Sequence, residues 1–167
     1  WQKINQKGQV VRVINSVYLQ VPKKNGKTIM GITPIIYGMY GEGLKGAEFY
    51  ISANTFDQCQ NAALPLALTI ENSPDLMVGT RIYKKENKVR SIQYTFYDED
   101  GVKFTNVTSV LSGDNKGNEG KNPAGNLFDE VHDNNDREQY DNLKSAQVVQ
   151  AEPFNIITTT AGKKPNS

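Results

Sequence analysis

Side chains that could do chemistry are scarce in this sequence. Cys59 is the only cysteine and His132 the only histidine among 167 residues. A nucleophilic triad needs a histidine beside its nucleophile, and a structural zinc site needs four ligands, so neither can be assembled here. We interpret Cys59 as a buried, inert thiol and His132 as a surface residue. The sequence therefore predicts no catalytic residue, no metal site and no cofactor, in a protein that is not an enzyme.

Two other groupings resemble chemical motifs only superficially. Acidic residues cluster at 98–100 and at 129–136, but their spacing breaks the alternate-position pattern of a calcium loop. We interpret the first cluster as part of a turn and the second as a solvated acidic segment. Residues 38–43 are glycine-rich, yet they lack the Lys-Ser/Thr pair and the strand-to-helix context of a phosphate-binding loop. They are predicted to form a flexible loop.

The remaining candidate is a surface of aromatic and basic side chains. Single-stranded nucleic acid binds to cations that follow its phosphates and to flat rings that stack on its bases. Both kinds of side chain recur along the predicted strands and loops, although ordinary sheet packing is the alternative for any one aromatic. The candidate nucleic-acid-binding residues are Arg12, Tyr18, Lys23, Lys24, Lys27, Tyr37, Tyr40, Lys45, Tyr50, Arg81, Lys88, Arg90, Tyr94 and Phe96.

The elements that must position these residues are mostly predicted strands. The firmest is a hairpin over 78–111, because Asp100-Gly101 separates two runs rich in β-branched and aromatic residues. Its strands are expected near 79–84, 88–97 and 102–111. Upstream, the patterns predict a strand at 9–21, a lysine-rich hairpin loop at 22–27, a strand at 28–40 interrupted by Pro34, and a strand at 47–53. A helix capped by Asn54 or Thr55 is expected over about 55–64, ending at Pro65.

Charge and composition divide the chain near residue 112. Residues 1–112 carry 13 Lys and Arg against 9 Asp and Glu, whereas residues 113–167 carry 6 against 9. We therefore expect a mildly basic domain at 1–112 and a flexible acidic and polar tail at 113–167, with a short helix near 134–149. Since no apolar run approaches the roughly 20 residues that span a bilayer, a soluble cytoplasmic protein without a membrane partner is predicted.

The order of elements resembles the second half of bacterial and phage single-stranded DNA-binding proteins. The similarity rests on residues 49–52 followed by a helix, on Gly-Thr-Arg-Ile-Tyr at 79–83, and on Asp-Glu-Asp-Gly at 98–101. It covers about 8–112 in element order and 74–111 in residue detail. The resemblance implies a five-stranded OB barrel that binds single-stranded DNA, or RNA, without catalysis and often as an oligomer. Its stacking aromatics would correspond to Tyr50 and to Tyr37 or Tyr40.

We therefore expect an all-β fold, an OB-like five-stranded barrel with one or two short helices and a polar C-terminal tail. The expected function is sequence-tolerant binding of single-stranded DNA in phage, plasmid or bacterial DNA replication or recombination. Expected partners are single-stranded DNA, further copies of the chain, and replication proteins recruited by the tail. The alternative is a viral structural β-barrel, from a virion or a tail, whose arm at 113–167 wraps a neighbour and which binds no nucleic acid.

Overall fold

A computed structural model describes residues 2–4, 8, 10–22, 24–112, 120–129, 138–150 and 152–160. The strands are β1 Gln2–Ile4, β2 Val10–Arg12, β3 Ser16–Gln20, β4 Glu48–Ala53, β5 Thr80–Lys85, β6 Lys88–Tyr97, β7 Lys103–Ser112, β8 Pro123–Asp129 and β9 Phe154–Thr159. The helices are α1 Lys27–Ile36, α2 Phe56–Glu71, α3 Pro74–Met77 and α4 Glu138–Ser145, with a π-helical turn at Tyr37–Gly41 and a 3₁₀ turn at Ala146–Val149. None of the described helices is long and apolar enough to cross a membrane.

The main sheet has seven strands in the order β3-β9-β8-β4-β7-β6-β5, and β1 and β2 form a separate two-stranded sheet. Neighbours from β3 to β7 run parallel, whereas β7, β6 and β5 form an antiparallel meander. The expected all-β barrel is therefore wrong, and the fold is mixed α/β. Parallel neighbours need long crossover connections, and helices in those crossovers cover the sheet.

Helices α1 and α2 pack against the sheet through one large apolar cluster. Ile32 and Ile35 of α1 and Leu66 and Ile70 of α2 are fully buried there, together with Phe49 of β4. Helix α4 belongs to a second cluster, in which Tyr50, Leu111, Phe128 and Leu143 are the buried members. Strand β4 contributes to both clusters, since Phe49 and Tyr50 point to opposite faces. It is accordingly buried on both sides rather than alternating.

The strand expected at 28–40 is wrong, because this segment is α1 and the π-helical turn. Its buried residues include Gly31, Ile32, Ile35 and Met39, which recur at the spacing of one helix face. The Ile and Thr content favoured a strand, but tertiary packing overrides such propensities. A Cβ added to Gly31 would lie 2.9 Å from a methyl carbon of Leu127, so the helix sits close against β8.

Helix α2 begins where the sequence predicted and ends later. Thr55 is its N-cap, and Thr55 and Gln58 exchange side-chain to backbone hydrogen bonds as a capping box. Pro65 was expected to end the helix, yet the helix continues to Glu71. Leu66, Ala67 and Ile70 extend the buried face beyond Pro65, and this packing outweighs the lost backbone hydrogen bond.

The meander over 78–111 is confirmed as β5, β6 and β7. Gly101 has φ of 75° in the turn, and the Asp98 carboxylate accepts hydrogen bonds from the backbone amides of Asp100 and Val102. Lys45 donates to the same carboxylate at 2.6 Å, and this hydrogen bond is the main cause that lowers the Asp98 pKa. The single strand expected at 9–21 is instead divided into β2 and β3, which belong to different sheets.

Much of the segment expected to be a flexible tail lies inside the sheet. All seven residues of β8 are buried, and β9 lies between β3 and β8. Both strands are short and flanked by polar residues, so composition alone does not distinguish them from a linker. Helix α4 and the following 3₁₀ turn fall within the range 134–149 where a short helix was expected.

Gly125→Ala should destabilise the protein, because β8 approaches the Phe154 ring closely at this position. An added Cβ would lie 2.3–2.7 Å from three ring carbons of Phe154, which is itself buried against Phe49. We expect the free energy of unfolding to fall by about 1–3 kcal/mol, the usual effect of overpacking. Urea denaturation would measure it. In the control Gly41→Ala, the atoms nearest to the Cβ belong to the exposed Tyr37 ring, at 3.0 Å. Equal losses in the two variants would contradict this account.

Candidate functional site

A cleft of about 450 Å³ opens at the carboxyl ends of β3, β8 and β9. Ligands of open α/β sheets bind at this edge, and the volume is within the usual range for small-molecule sites. The loop before α1, the first turn of α1, helix α2 and the ends of β8 and β9 form its walls. The lining residues are Pro22, Lys24, Gly26, Lys27, Thr28, Ile29, Asn61, Asp129 and Thr160.

The N-terminus of α1 faces this cleft without a side-chain cap. Gly26 holds the N-cap position at φ of 72°, a left-handed conformation that favours glycine, and it makes no side-chain cap hydrogen bond. The first N–H groups of a helix have no acceptor within the helix, and they carry partial positive charge. The N-terminus of α2, by contrast, is closed by the Thr55 and Gln58 capping box. Of these two helices, α1 is the one whose N-cap residue makes no side-chain cap hydrogen bond.

A lysine and an aspartate meet at the base of the cleft. The Lys27 Nζ lies 3.5 Å from the Asp129 Oδ1, and both side chains are buried. Asp129 is the last residue of β8, and its register partner on β9 is Thr158. The Thr158 hydroxyl donates to the Asp129 Oδ1 at 2.5 Å and so fixes the carboxylate beside the lysine.

Lys27 belongs to a motif that the sequence analysis did not identify. A phosphate-binding loop has the pattern G-x-x-x-x-G-K-[ST] between a strand and a helix. Gly26, Lys27 and Thr28 match its last three positions between β3 and α1, whereas Val21 occupies the position of the first glycine. The hairpin loop expected at 22–27 is therefore wrong. The Lys-Thr pair after Gly26 was the signal that could have identified the site.

Two further expectations about motifs change with the structure. The glycine-rich stretch at 38–43 is mostly π-helical turn, with Met39 buried, rather than a flexible loop. Asp129 was assigned to a solvated acidic segment, but it is 5 % exposed. The acidic residues at 130–136 and His132, which lies between them in the sequence, are outside the described residues. Asp98 does serve a turn, as expected.

Cys59 is buried, as the sequence predicted. Its thiol donates a hydrogen bond to the Leu111 carbonyl oxygen, and burial raises the pKa of the thiol to about 12. A thiol with so high a pKa is almost entirely protonated near neutral pH and is a poor nucleophile.

The candidate nucleic-acid-binding residues do not form one surface. Lys24 and Lys27 line the cleft, and Lys23 lies outside the described residues. Three other cations are engaged with side chains elsewhere, as Arg12 pairs with Glu42, Lys45 with Asp98, and Lys88 with Asp57. The Arg90 guanidinium lies 3.9 Å from the centre of the Phe56 ring. Arg81 is exposed on the edge strand β5.

The candidate aromatics are also dispersed, and several belong to the core. Tyr94 lies between Tyr40 and Phe96, with ring centres 4.5 and 5.2 Å away. Burial is the main cause that raises the pKa of Tyr40, and the hydrogen bond between its hydroxyl group and that of Thr80 opposes the rise. Tyr50 is buried, and its pKa is raised by burial and by the hydrogen bond it donates to Glu48. Tyr18 and Tyr37 remain exposed, at 59 % and 61 %.

Comparison with known proteins identifies the family of this architecture. The family model for the terminase large subunit, ATPase domain, matches residues 4–167. No curated protein sequence matches the chain. Among solved structures, the large terminase of bacteriophage HK97 superposes with a TM-score of 0.69 at 17% identity, over 87% of this chain and 29% of that one.

Two further solved structures have a similar fold. The ATPase domain of the Thermus phage P74-26 large terminase gives a TM-score of 0.68 at 15% identity, over 89% of this chain and 61% of that one. The large terminase of another thermophilic bacteriophage, in complex with ATP-gamma-S, gives 0.63 at 16% identity, over 87% of this chain and 32% of that one. The chain thus spans less than two thirds of each of these proteins, and at these identities the likeness shows the fold alone.

The family match overturns the functional expectations drawn from the sequence. The resemblance to single-stranded DNA-binding proteins is wrong, and so are the expected single-stranded DNA and replication-protein partners that followed from it. The alternative of a virion or tail structural barrel is wrong for the same reason. The expectation of a non-enzyme is wrong too, because the matching model describes an ATPase domain. The chain belongs to the terminase large subunit ATPase domain family.

Proposed function

We propose that the chain binds ATP with Mg²⁺ in the cleft and hydrolyses it to drive the packaging of DNA by a bacteriophage large terminase. The observation that carries this proposal is the meeting of three features: the uncapped N-terminus of α1, the Lys27 ammonium and the buried Asp129 carboxylate. The backbone amides of a helix N-terminus and a lysine suit phosphate groups, and a buried carboxylate at the same edge suits their divalent cation.

Phosphate binding is assigned to the loop and the first turn of α1. The backbone amides that follow Gly26 would surround the phosphate oxygens, as they do in other phosphate-binding loops. Lys27 would neutralise the charge on the two outer phosphates, a role that needs a cation at this place in the motif. Lys24, which also lines the cleft, adds a second positive charge close to the phosphates.

The residues present also fit a magnesium ion. Mg²⁺ is usually held by one or two carboxylates together with substrate phosphates and water, so a complete cage of protein ligands is not required. Thr28 and Asp129 both line the cleft, and their hydroxyl and carboxylate would hold the ion. Once bound, the ion would supply positive charge to the phosphate oxygens during phosphoryl transfer.

The chain's own residues would then organise the attack of water. Thr158 donates to Asp129 and keeps the carboxylate oriented toward the cleft. Glu130, the next residue in the sequence, lies outside the described residues, and from its chemistry alone we propose it as the general base for the attacking water. We also propose that the terminase acts on double-stranded DNA in the cytoplasm of the infected cell.

Calorimetric titration of the chain with ATP-gamma-S and with ADP tests the proposal. With Mg²⁺ present, both nucleotides should bind at one site per chain. Removing Mg²⁺ with EDTA should weaken the binding of ATP-gamma-S, because its outer phosphates then lose their cation. Absence of binding at millimolar concentrations of both nucleotides would refute the assignment of the cleft.

A further inference from the structure

We propose that Asn61 hydrogen-bonds to the terminal phosphate of ATP and so allows the cleft to distinguish ATP from ADP. The inference rests on the proposed function of the cleft. Asn61 is an exposed residue of α2 and the only residue of that helix among those that line the cleft.

The order of the strands places Asn61 at the far end of the phosphate chain. The loop at 21–26 follows β3, which is an edge strand of the sheet. Asp129 is at the end of β8, an interior strand, and α2 follows β4, the neighbour of β8 on the side away from β3. A nucleotide whose inner phosphates lie on the loop and whose cation lies at Asp129 extends its last phosphate toward α2. Asn61 therefore faces the phosphate that ADP lacks.

The part of α2 that precedes Asn61 is held by its N-cap and by hydrogen bonds to the sheet. The Gln60 side chain exchanges two hydrogen bonds with the backbone of Val89, at 3.0 and 2.8 Å. The Cys59 thiol donates to the Leu111 carbonyl oxygen at 3.1 Å, and Thr55 caps the helix. A side chain carried by so constrained a backbone keeps its direction at little further entropic cost, which favours a selective contact.

The chemistry of the amide suits this position. Lys24 and Lys27 supply charge to any phosphate within reach, whereas an amide N–H donates along one direction and recognises a particular oxygen. Asn is also a weaker helix former than Ala, and Ala62 and Ala63 follow it in α2. A contact with the ligand would account for a polar amide at a helical position where alanine is intrinsically more stable.

Titration of Asn61→Ala with ATP-gamma-S and with ADP, both with Mg²⁺, tests the inference. We expect the Kd for ATP-gamma-S to rise about 10-fold or more, as for a lost hydrogen bond to a charged group, while the Kd for ADP changes less than about 2-fold. Asn61→Asp should weaken ATP-gamma-S further, because its carboxylate repels the phosphate. The control Asn142→Ala removes an exposed amide from α4 and should alter neither constant.

The two Kd values show whether Asn61 contacts the terminal phosphate or only supports the structure of the cleft. Equal weakening of both nucleotides, or no weakening of either, would overturn the assignment to the terminal phosphate. A wild-type chain that binds neither nucleotide would overturn both the proposed function and this inference. Thermal melting checks the fold, and Asn61→Ala should melt no lower than wild type because alanine favours the helix.

Discussion

Lys27→Ala is expected to lower the rate of ATP hydrolysis by about 10²–10³-fold, the usual effect of removing one charge-stabilising donor from an active site. The Lys27 ammonium is buried at the base of the cleft, 3.5 Å from Asp129 and at the start of the uncapped helix. Its charge would oppose the negative charge of the outer phosphates during transfer, where burial limits screening by water. Release of inorganic phosphate measures the rate, and calorimetric titration measures nucleotide affinity.

A matched control separates this role from a general effect of charge. Lys45→Ala also removes one positive charge, but from an exposed lysine that pairs with Asp98 near the β6–β7 turn. Its hydrolysis rate should stay within about 2-fold of wild type, as for a surface ion pair of small energetic value. If both variants lost activity equally, the overall charge of the domain and not the cleft would control hydrolysis. Thermal melting of Lys27→Ala would exclude unfolding as the cause.

The part of the fold that sequence predicts best is the part held by local signals. The Asp98 and Gly101 turn fixes the β6–β7 connection, and the Thr55 capping box fixes the start of α2. Each signal acts over a few residues and needs no partner from elsewhere in the chain. These features are therefore present in the structure even though the barrel into which they were placed is not.

Parallel pairing has no comparable local signal. Strand β4 pairs with β8 through Phe49 and Gly125, which are far apart in the sequence, so no tight turn joins the two strands. The burial of both faces removes the alternation that identifies a half-exposed strand. Strand β8 therefore reads as a short apolar run inside a polar segment. Because β8 was assigned to a tail, Asp129 was predicted to be solvated and not buried.

The candidate site was not predicted because Lys27 and Asp129 are brought together by the parallel pairing of strands. Lys27 and Asp129 come together only when β9 pairs with β3 on one side and with β8 on the other. The Gly-Lys-Thr sequence at 26–28 was visible, but Asn25-Gly26 is also a strong hairpin signal. The β-branched residues after it favoured a strand, and with α1 read as a strand the strand-to-helix context of the motif was lost.

Asp129→Asn should abolish the dependence of ATP binding on Mg²⁺ and lower hydrolysis by about 10²–10³-fold, as expected when a metal's ligand and its charge are lost together. The substitution keeps the size of the side chain and leaves an oxygen that can accept the hydrogen bond from Thr158. The β8–β9 register should therefore survive. Titration with ATP over a series of Mg²⁺ concentrations measures the effect.

The affinity of Asp129→Asn for ATP without Mg²⁺ shows whether Asp129 is a metal ligand or is needed only for folding. Asp129 is the carboxylate that faces the Lys27 ammonium, so its neutralisation makes the cleft more positive. Metal-free ATP should then bind Asp129→Asn as tightly as wild type or more tightly, because electrostatic repulsion of the phosphates falls. A residue needed only for folding would weaken binding at every Mg²⁺ concentration. Asp141→Asn removes an exposed carboxylate from α4 and should leave the Mg²⁺ dependence of wild type intact. Retention of that dependence by Asp129→Asn would instead show that the metal is held elsewhere.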